Sequence, residues 1–136
     1  MPGARACSPS RVQRAFGDLL RLTRASGQLG RAIELAADAR LAESRDALLC
    51  VLDVAGRATE GLATGAWLST RLCALMSLAE VGAKLADGPL VLASVREALA
   101  LWDRAGLDRK DPRFTAFAAW ESWARPYLAG ADPQFQ

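Results

Sequence analysis

Histidine is absent from this chain of 136 residues, and its three cysteines stand far apart. Cys7, Cys50 and Cys73 show no Cys-x-x-Cys spacing. Structural zinc sites combine closely spaced cysteine and histidine, and most triads and many general acid–base schemes depend on histidine. The residue types therefore disfavour zinc sites and histidine-based catalysis.

Pairs of carboxylates are the next residues with chemical potential. Glu34 with Asp38, and Glu43 with Asp46, fall on shared faces of predicted helices. Two carboxylates on one face can bind a cation or share a proton, but solvated helix faces carry such pairs routinely. A solvated face is the favoured interpretation of both pairs.

The glycine-rich stretch GRATEGLATG, residues 56–65, resembles a phosphate-binding loop only in its glycines. That loop requires Gly-Lys-Ser/Thr at its end, and Leu62 stands in place of the lysine. The sequence therefore predicts no catalytic residue, no metal site and no cofactor.

Aromatic residues are concentrated near the carboxyl end, where six of the nine lie between Phe114 and Phe135. At three-residue intervals they fan over about half of a helix, because three steps fall roughly 60° short of a turn. Clustered aromatic residues often mark a contact surface. The predicted partner-binding residues are Phe117, Trp120, Trp123 and Tyr127. The alternative is that this helix covers the core, with Phe114, Phe117 and Trp120 turned inward.

Positive charge is concentrated at the other end, since residues 1–33 carry six arginines and one aspartate. The remainder carries eleven basic and fourteen acidic residues. A basic segment can bind an acidic partner or nucleic acid, and a solvated helix face explains it as well. The candidate contact residues are Arg11, Arg14, Arg21 and Arg24.

Length and composition predict one globular domain with its own core, because 51% of the residues are hydrophobic and 24% are charged. The expected boundaries are a disordered N-terminus at 1–8, a helical domain at 9–129 and a loose tail at 130–136. Three scattered cysteines are typical of buried thiols in a reducing compartment. Without a long apolar run or a signal-peptide pattern, a cytoplasmic location is expected.

Helix signals predict about five helices. Ser8-Pro9 and Asp111-Pro112 are start signals, and Ser26-Gly27 and Gly106 are stop signals. The predicted segments are 9–25, 31–57, 67–86, 89–105 and 112–125, with a loop at 56–66. The second segment is one helix or two helices meeting near residue 43, where Ser44 is the candidate cap. Pro126 should kink or end the last helix.

The segment 67–86 is apolar over most of its circumference, which is typical of a helix surrounded by others. One stripe contains Leu68, Leu72, Leu75 and Ala79, and a second contains Trp67, Ala74, Leu78, Val81 and Leu85. Thr70, Ser77, Glu80 and Lys84 are expected to face water. The first predicted helix should turn Val12, Phe16, Leu19 and Leu20 inward.

Three families resemble parts of this pattern. The stretch KLADGPLVLASVREAL, residues 84–99, resembles the middle of a tetratricopeptide repeat, which implies stacked helical hairpins. The leucine-rich central helix and the stretch EALALWDRAG are similar to flagellin export chaperones, small bundles that cradle an aggregation-prone helix. The order of LLRLTRA, LAESRDALLCVL, LSTRLCALMSLAE and GPLVLASVREA resembles winged-helix repressors of the multidrug-resistance class, with Arg71 on the recognition helix and 84–94 as the wing.

These observations predict an all-α domain, either an antiparallel bundle or stacked hairpins. The expected function is non-catalytic binding of a protein partner, such as an amphipathic helix, by an adaptor, export chaperone or assembly factor. Self-association is also consistent with the hydrophobic content. The alternative function is DNA-binding transcriptional regulation through the basic first helix.

Overall fold

The computed structural model describes the backbone of residues 11–57 and 64–130, and these residues form five helices without a strand. The all-α prediction is confirmed. In chain order the helices are α1 (Arg11–Ala37), α2 (Leu41–Arg57), α3 (Thr64–Lys84), α4 (Gly88–Arg104) and α5 (Pro112–Gly130). The segments 1–10, 58–63 and 131–136 lie outside the described residues. They include the predicted N-terminal segment 1–8 and all but the first residue of the predicted tail 130–136.

Consecutive helices pack on one another along the chain, and α1 also contacts α3. Turns of a few residues join α1 to α2 and α3 to α4, so each of these pairs forms a helical hairpin. The two hairpins and α5 follow each other in a row. The described residues therefore combine both predicted arrangements, an antiparallel bundle built from stacked hairpins.

Helix α3 lies between two hydrophobic cores, as its two apolar stripes predict. Trp67, Ala74, Leu78 and Val81 belong to a first core shared with α1 and α2. Leu72, Leu75 and Ala79 belong to a second core shared with α4 and α5. The two sets are separated by roughly 110° around the helix axis, so one helix serves both cores. Thr70 is the exception among its predicted water-facing residues, because it is buried.

Trp102 is the largest fully buried side chain and stands in the second core. Its indole Nε1 donates a hydrogen bond to the Asp108 carbonyl oxygen at 3.2 Å. The Phe114 ring lies 6.0 Å away, and the Arg113 guanidinium lies 5.0 Å above the indole. One side chain thus ties the α4–α5 connection and the start of α5 to the core.

The hairpin of α3 and α4 is defined by a cap and a close approach. The Asp87 carboxylate accepts a hydrogen bond from the Leu90 amide at 3.1 Å, which satisfies one of the free donors at the start of α4. Gly82 lies where a Cβ would stand 3.0 Å from the Val91 side chain. A larger residue at 82 would therefore separate the two helices.

The predicted stop at Ser26-Gly27 is wrong, because α1 continues through it to Ala37. Ala25 and Leu29 on either side are both in the first core, and their burial outweighs a glycine cost of about 1 kcal/mol. The helix ends instead at residues 38–40, where Ala39 adopts a left-handed φ of 61°. Two helices, rather than one, therefore occupy the predicted segment 31–57.

Ser44 does not cap a helix as expected. It is fully buried, and its hydroxyl donates to the Ala32 carbonyl oxygen at 2.6 Å. This bond joins α2 to α1 across the first core. Of the two effects predicted for Pro126, the end of the helix does not occur, because α5 continues past it to Gly130.

The predicted inward stripe of the first helix is wrong where the structure describes it, since Phe16, Leu19 and Leu20 are exposed. The buried face of α1 is set by its later turns, and Ala25, Leu29 and Ala32 point into the first core. Residues three or four apart share that face, whereas Phe16 and its neighbours lie on another side of the helix. The Val12 side chain lies outside the described residues.

Candidate functional site

Helix α5 carries the predicted aromatic site and is anchored at its start. The Asp111 carboxylate accepts hydrogen bonds from the Arg113 amide at 2.9 Å and from its guanidinium at 3.0 and 3.1 Å. These bonds hold the pKa of Asp111 below its usual value. A carboxylate at a helix start also interacts favourably with the helix dipole. Asp111 and Arg113 therefore stabilise the first turn of α5.

The structure divides the predicted aromatic residues between core and surface. Phe117 is 1% exposed and packs in the second core with Ala124. It is therefore a core residue, and its prediction as a partner contact does not fit its position. The alternative, a helix that covers the core, describes this part of α5 correctly.

Trp120 and Trp123 form the exposed part of the fan. Trp120 is partly buried against the second core, and Trp123 is 43% exposed. Their ring centroids are 5.5 Å apart and the rings are nearly perpendicular, at 87°. This edge-to-face arrangement is a favourable one for aromatic pairs, so Trp120 holds its exposed neighbour in place. We call Trp120 and Trp123 the tryptophan pair. The Tyr127 side chain lies outside the described residues.

Glu121 and Arg125 lie on another side of α5, each roughly 160° from Trp123 around the helix axis. The Glu121 carboxylate lies 3.5 Å from the Arg96 guanidinium of α4 and 3.3 Å from that of Arg125. Both arginine side chains are exposed, so these ion pairs contribute little to stability. The Arg96–Glu121 pair links α4 to α5.

Comparisons of the chain with protein-family models, with curated proteins and with solved structures found no match. The three family resemblances noted in the sequence therefore remain predictions. The residues compared with a wing, 84–94, form the end of α3, a turn and the start of α4.

The predicted basic site on the first helix is described in part. Arg21 and Arg24 are exposed on α1, and the side chains of Arg11 and Arg14 lie outside the described residues. Arg71 is partly buried on α3, and its guanidinium lies 3.6 Å from the Glu97 carboxylate of α4.

Sequence reasoning missed a polar cluster on α3. The indole Nε1 of Trp67 and the Nε of Arg71 are buried, and neither has a hydrogen-bond partner within the described part of the chain. Thr70 lies between them in sequence and is buried. A buried donor without an acceptor costs about 1–3 kcal/mol. The one available sequence signal was Arg71 itself, a charged residue within the mostly apolar stretch from Trp67 to Ala79.

The carboxylates of the second predicted pair, Glu43 and Asp46, each contact an arginine at the surface. Glu43 binds Arg40 in a two-pronged contact at 2.6 and 2.7 Å, which lowers the pKa of Glu43. The Arg45 guanidinium lies 3.1 Å from Asp46. In residues 11–57 and 64–130, no group of three or more His, Cys, Asp or Glu side chains is placed to hold a metal ion.

The prediction of buried thiols is wrong for Cys50 and Cys73, which are both exposed, and Cys7 lies outside the described residues. Partial burial raises the pKa of the Cys73 thiol, and the nearby Glu80 carboxylate raises it further. A raised pKa keeps the thiol protonated and less reactive at neutral pH. Over the described residues, no helix is both long and apolar enough to cross a membrane.

Proposed function

We propose that this protein is a non-catalytic interaction module that captures a protein partner on α5, as an adaptor, export chaperone or assembly factor does. The observation that carries the proposal is Trp123, a large aromatic side chain that is 43% exposed on a regular helix. Tryptophan is among the residues most enriched at the energetic centres of interfaces.

The surroundings of Trp123 support the same function. Trp120 contacts it edge to face, so little side-chain entropy is lost when a partner covers the pair. The partner we propose is an amphipathic helix whose apolar face covers the tryptophan pair, with arginines at the rim supplying charge selectivity. Tyr127, one turn further along α5, is proposed as part of the same surface.

We also propose a cytoplasmic location, because cysteines without a disulfide pattern suit a reducing compartment.

The test is affinity capture from the native host with mass-spectrometric identification, using the wild type and Trp123→Ala. The variant is expected to lose the specific partner, because truncating an interface tryptophan commonly costs 2 kcal/mol or more, which is roughly a thirtyfold loss of affinity. Far-ultraviolet circular dichroism should show unchanged helicity. Retained capture by Trp123→Ala would remove α5 from consideration.

Leu49→Ala is the matched control. Leu49 lies on α2 and is 44% exposed, close to the exposure of Trp123. The Leu49→Ala substitution therefore removes a comparably exposed apolar side chain from a different surface of the protein. Capture should therefore survive Leu49→Ala, and loss of the partner in both variants would indicate a general effect of lost apolar surface.

A further inference from the structure

The amino-terminal half of α1 displays large apolar side chains that the fold does not bury. Phe16 is 61% exposed, Leu20 is 49% exposed and Leu19 is 43% exposed. Three such residues within two turns form one patch, because positions three and four apart share a helix face. We call these three residues the α1 patch.

The helical hairpin cannot cover the α1 patch. The buried face of α1 is defined by Ala25, Leu29 and Ala32, and the patch lies roughly 150° away around the helix axis. Helix α1 is also longer than its partner, with 27 residues against 17 in α2. Since the two helices start pairing at the turn 38–40, roughly 15 Å of α1 extends beyond α2.

The neighbouring segments of the chain lack the residues to cover the patch. The sequence MPGARACSPS, residues 1–10, has no leucine, isoleucine, valine or aromatic residue, and residues 58–63 have one leucine. A cover for three large apolar side chains must supply several of its own, since burial stabilises in proportion to apolar area. Residues 1–10 and 58–63 therefore do not supply the cover.

Charge complementarity indicates which kind of molecule covers the α1 patch. Residues 1–33 have a formal net charge of +5, and Arg24 and Arg31 are exposed within a right angle of the patch. A second copy docked by the same face would bring two such ends together, and like charges oppose that contact. Three side chains also offer far less area than the roughly 800 Å² per partner of a standard interface between two folded domains. A negatively charged occupant is favoured.

The shape of α1 favours a helical protein partner over a lipid membrane as the molecule that covers the patch. Beyond the patch, the same side of α1 continues with Thr23, Gly27 and Gly30, which are exposed and small. No atom lies within 4 Å of a Cβ built at either glycine. A helix lying along α1 can approach closely there, whereas a membrane-surface helix carries bulky apolar residues along its length. Arg21 also lies on the side away from the patch, too far round to reach headgroups beneath it.

We propose that the α1 patch is a docking surface for an acidic amphipathic helix of a protein partner. The leucine-type side chains of that helix cover Phe16, Leu19 and Leu20, and its carboxylates pair with Arg24 and Arg31. This surface is separate from the tryptophan pair on α5 and does not depend on the function proposed there.

The test is a fluorescence anisotropy titration of the full chain with a labelled helical peptide of about 14 residues. Leucines at i, i+3, i+4 and i+7 form one face of the peptide and glutamates fill the rest. The control peptide carries lysine in place of each glutamate. We expect the glutamate peptide to bind with a Kd below about 100 μM and the lysine peptide to bind at least tenfold more weakly.

Substitutions in the patch should reduce this binding. Phe16→Ser and Leu20→Ser are each expected to lower the affinity for the glutamate peptide by about tenfold or more. Arg24→Glu is expected to lower it by about threefold to tenfold. Since these side chains are exposed, the unfolding midpoints should stay close to that of the wild type. Trp123→Ala should bind the peptide normally, which separates this proposal from the one for α5.

Several results would overturn the proposal. One is equal binding of the two peptides, and another is equal binding of the glutamate peptide by wild type and Leu20→Ser. No binding of the glutamate peptide, together with binding to phosphatidylserine vesicles or to duplex DNA, would assign the patch to a membrane or to nucleic acid instead. A dimer in light scattering that Phe16→Ser dissociates would assign it to a second copy. Should Phe16→Ser unfold, Leu20→Ser and Arg24→Glu still decide the outcome.

Discussion

Glycines inside helices provide a quantitative test of the packing, because two of them lie in open space and one lies at a helix crossing. Gly27 and Gly30 are exposed within α1, and a Cβ built at either meets no atom within 4 Å. Gly82 is buried in α3, and a Cβ there would stand 3.0 Å from the Val91 Cγ2 and 3.4 Å from the Leu90 Cδ2. The same substitution should therefore have opposite effects at the two places.

Gly27→Ala and Gly30→Ala are each expected to stabilise the protein by about 0.5–1 kcal/mol. Glycine in a helix interior costs this much relative to alanine, because its unfolded backbone has more freedom to lose. The two positions are one turn apart but share no contact, so the effects should nearly add. The double variant should gain about 1–2 kcal/mol, which is roughly 3–8 °C in Tm for a chain of this size.

Gly82→Ala gains the same helix preference but must displace the Val91 side chain. Val91 is fully buried in the second core, so it has little room to move, and overpacking of this kind costs about 1–3 kcal/mol. The net expectation is a destabilisation of about 1 kcal/mol.

The assay is urea unfolding followed by circular dichroism at 222 nm, with unchanged slopes indicating unchanged compactness. A destabilised Gly27→Ala variant would contradict the exposure of that side of α1. A stabilised Gly82→Ala variant would contradict the close approach of α3 and α4. Either result would refute the packing from which the two signs were derived.

Three further predictions concern single polar contacts. Ser44→Ala removes the interhelical hydrogen bond to the Ala32 carbonyl and should destabilise the protein by about 0.5–1.5 kcal/mol in urea titration. The control Ser94→Ala should cost less, because the Ser94 hydroxyl bonds within its own helix. Equal effects would argue against the α1–α2 contact. Asp87→Ala removes the α4 cap and should cost about 1 kcal/mol by thermal unfolding, while Asp87→Asn retains most of that stability. The pKa of Asp111 is lowered in the folded protein, chiefly by its side-chain bond to Arg113. The ionised carboxylate therefore stabilises the fold above the usual pKa near 3.8, and this stabilisation is lost as the pH falls through the lower folded-state pKa. Unfolding midpoints of wild type and Asp111→Asn should therefore converge below pH 3.8, and a constant difference down to the lowest pH would refute this linkage.

The predictions that succeeded depended on periodicity and on strong local signals. The two stripes of α3 correspond to two cores because a helix with apolar residues on two faces must bury both. The start of α5 follows Asp111-Pro112, and the start of α4 follows the cap at Asp87. In each case the signal lies within a few residues of the feature that it predicts.

The predictions that failed required knowledge of distant residues. Ser26-Gly27 is a stop signal, yet α1 continues because Ala25 and Leu29 are buried by α2 and α3. Phe16, Leu19 and Leu20 form a convincing apolar stripe, but they are exposed, because the buried face set by Ala25, Leu29 and Ala32 lies on the other side of α1. Phe117 and Trp123 belong to the same aromatic fan, and periodicity alone could not indicate which of them the core accepts.

The amino-acid sequence by itself determined that this chain is helical, where α4 and α5 begin and which helix lies at the centre. These features depend on hydrogen bonds and apolar spacing within single helices. The tertiary structure alone decided that Phe117 is buried while Trp123 is exposed, and that the apolar face at the start of α1 is left uncovered. Burial depends on which helices meet, and that is set by lengths and crossings far apart in the chain.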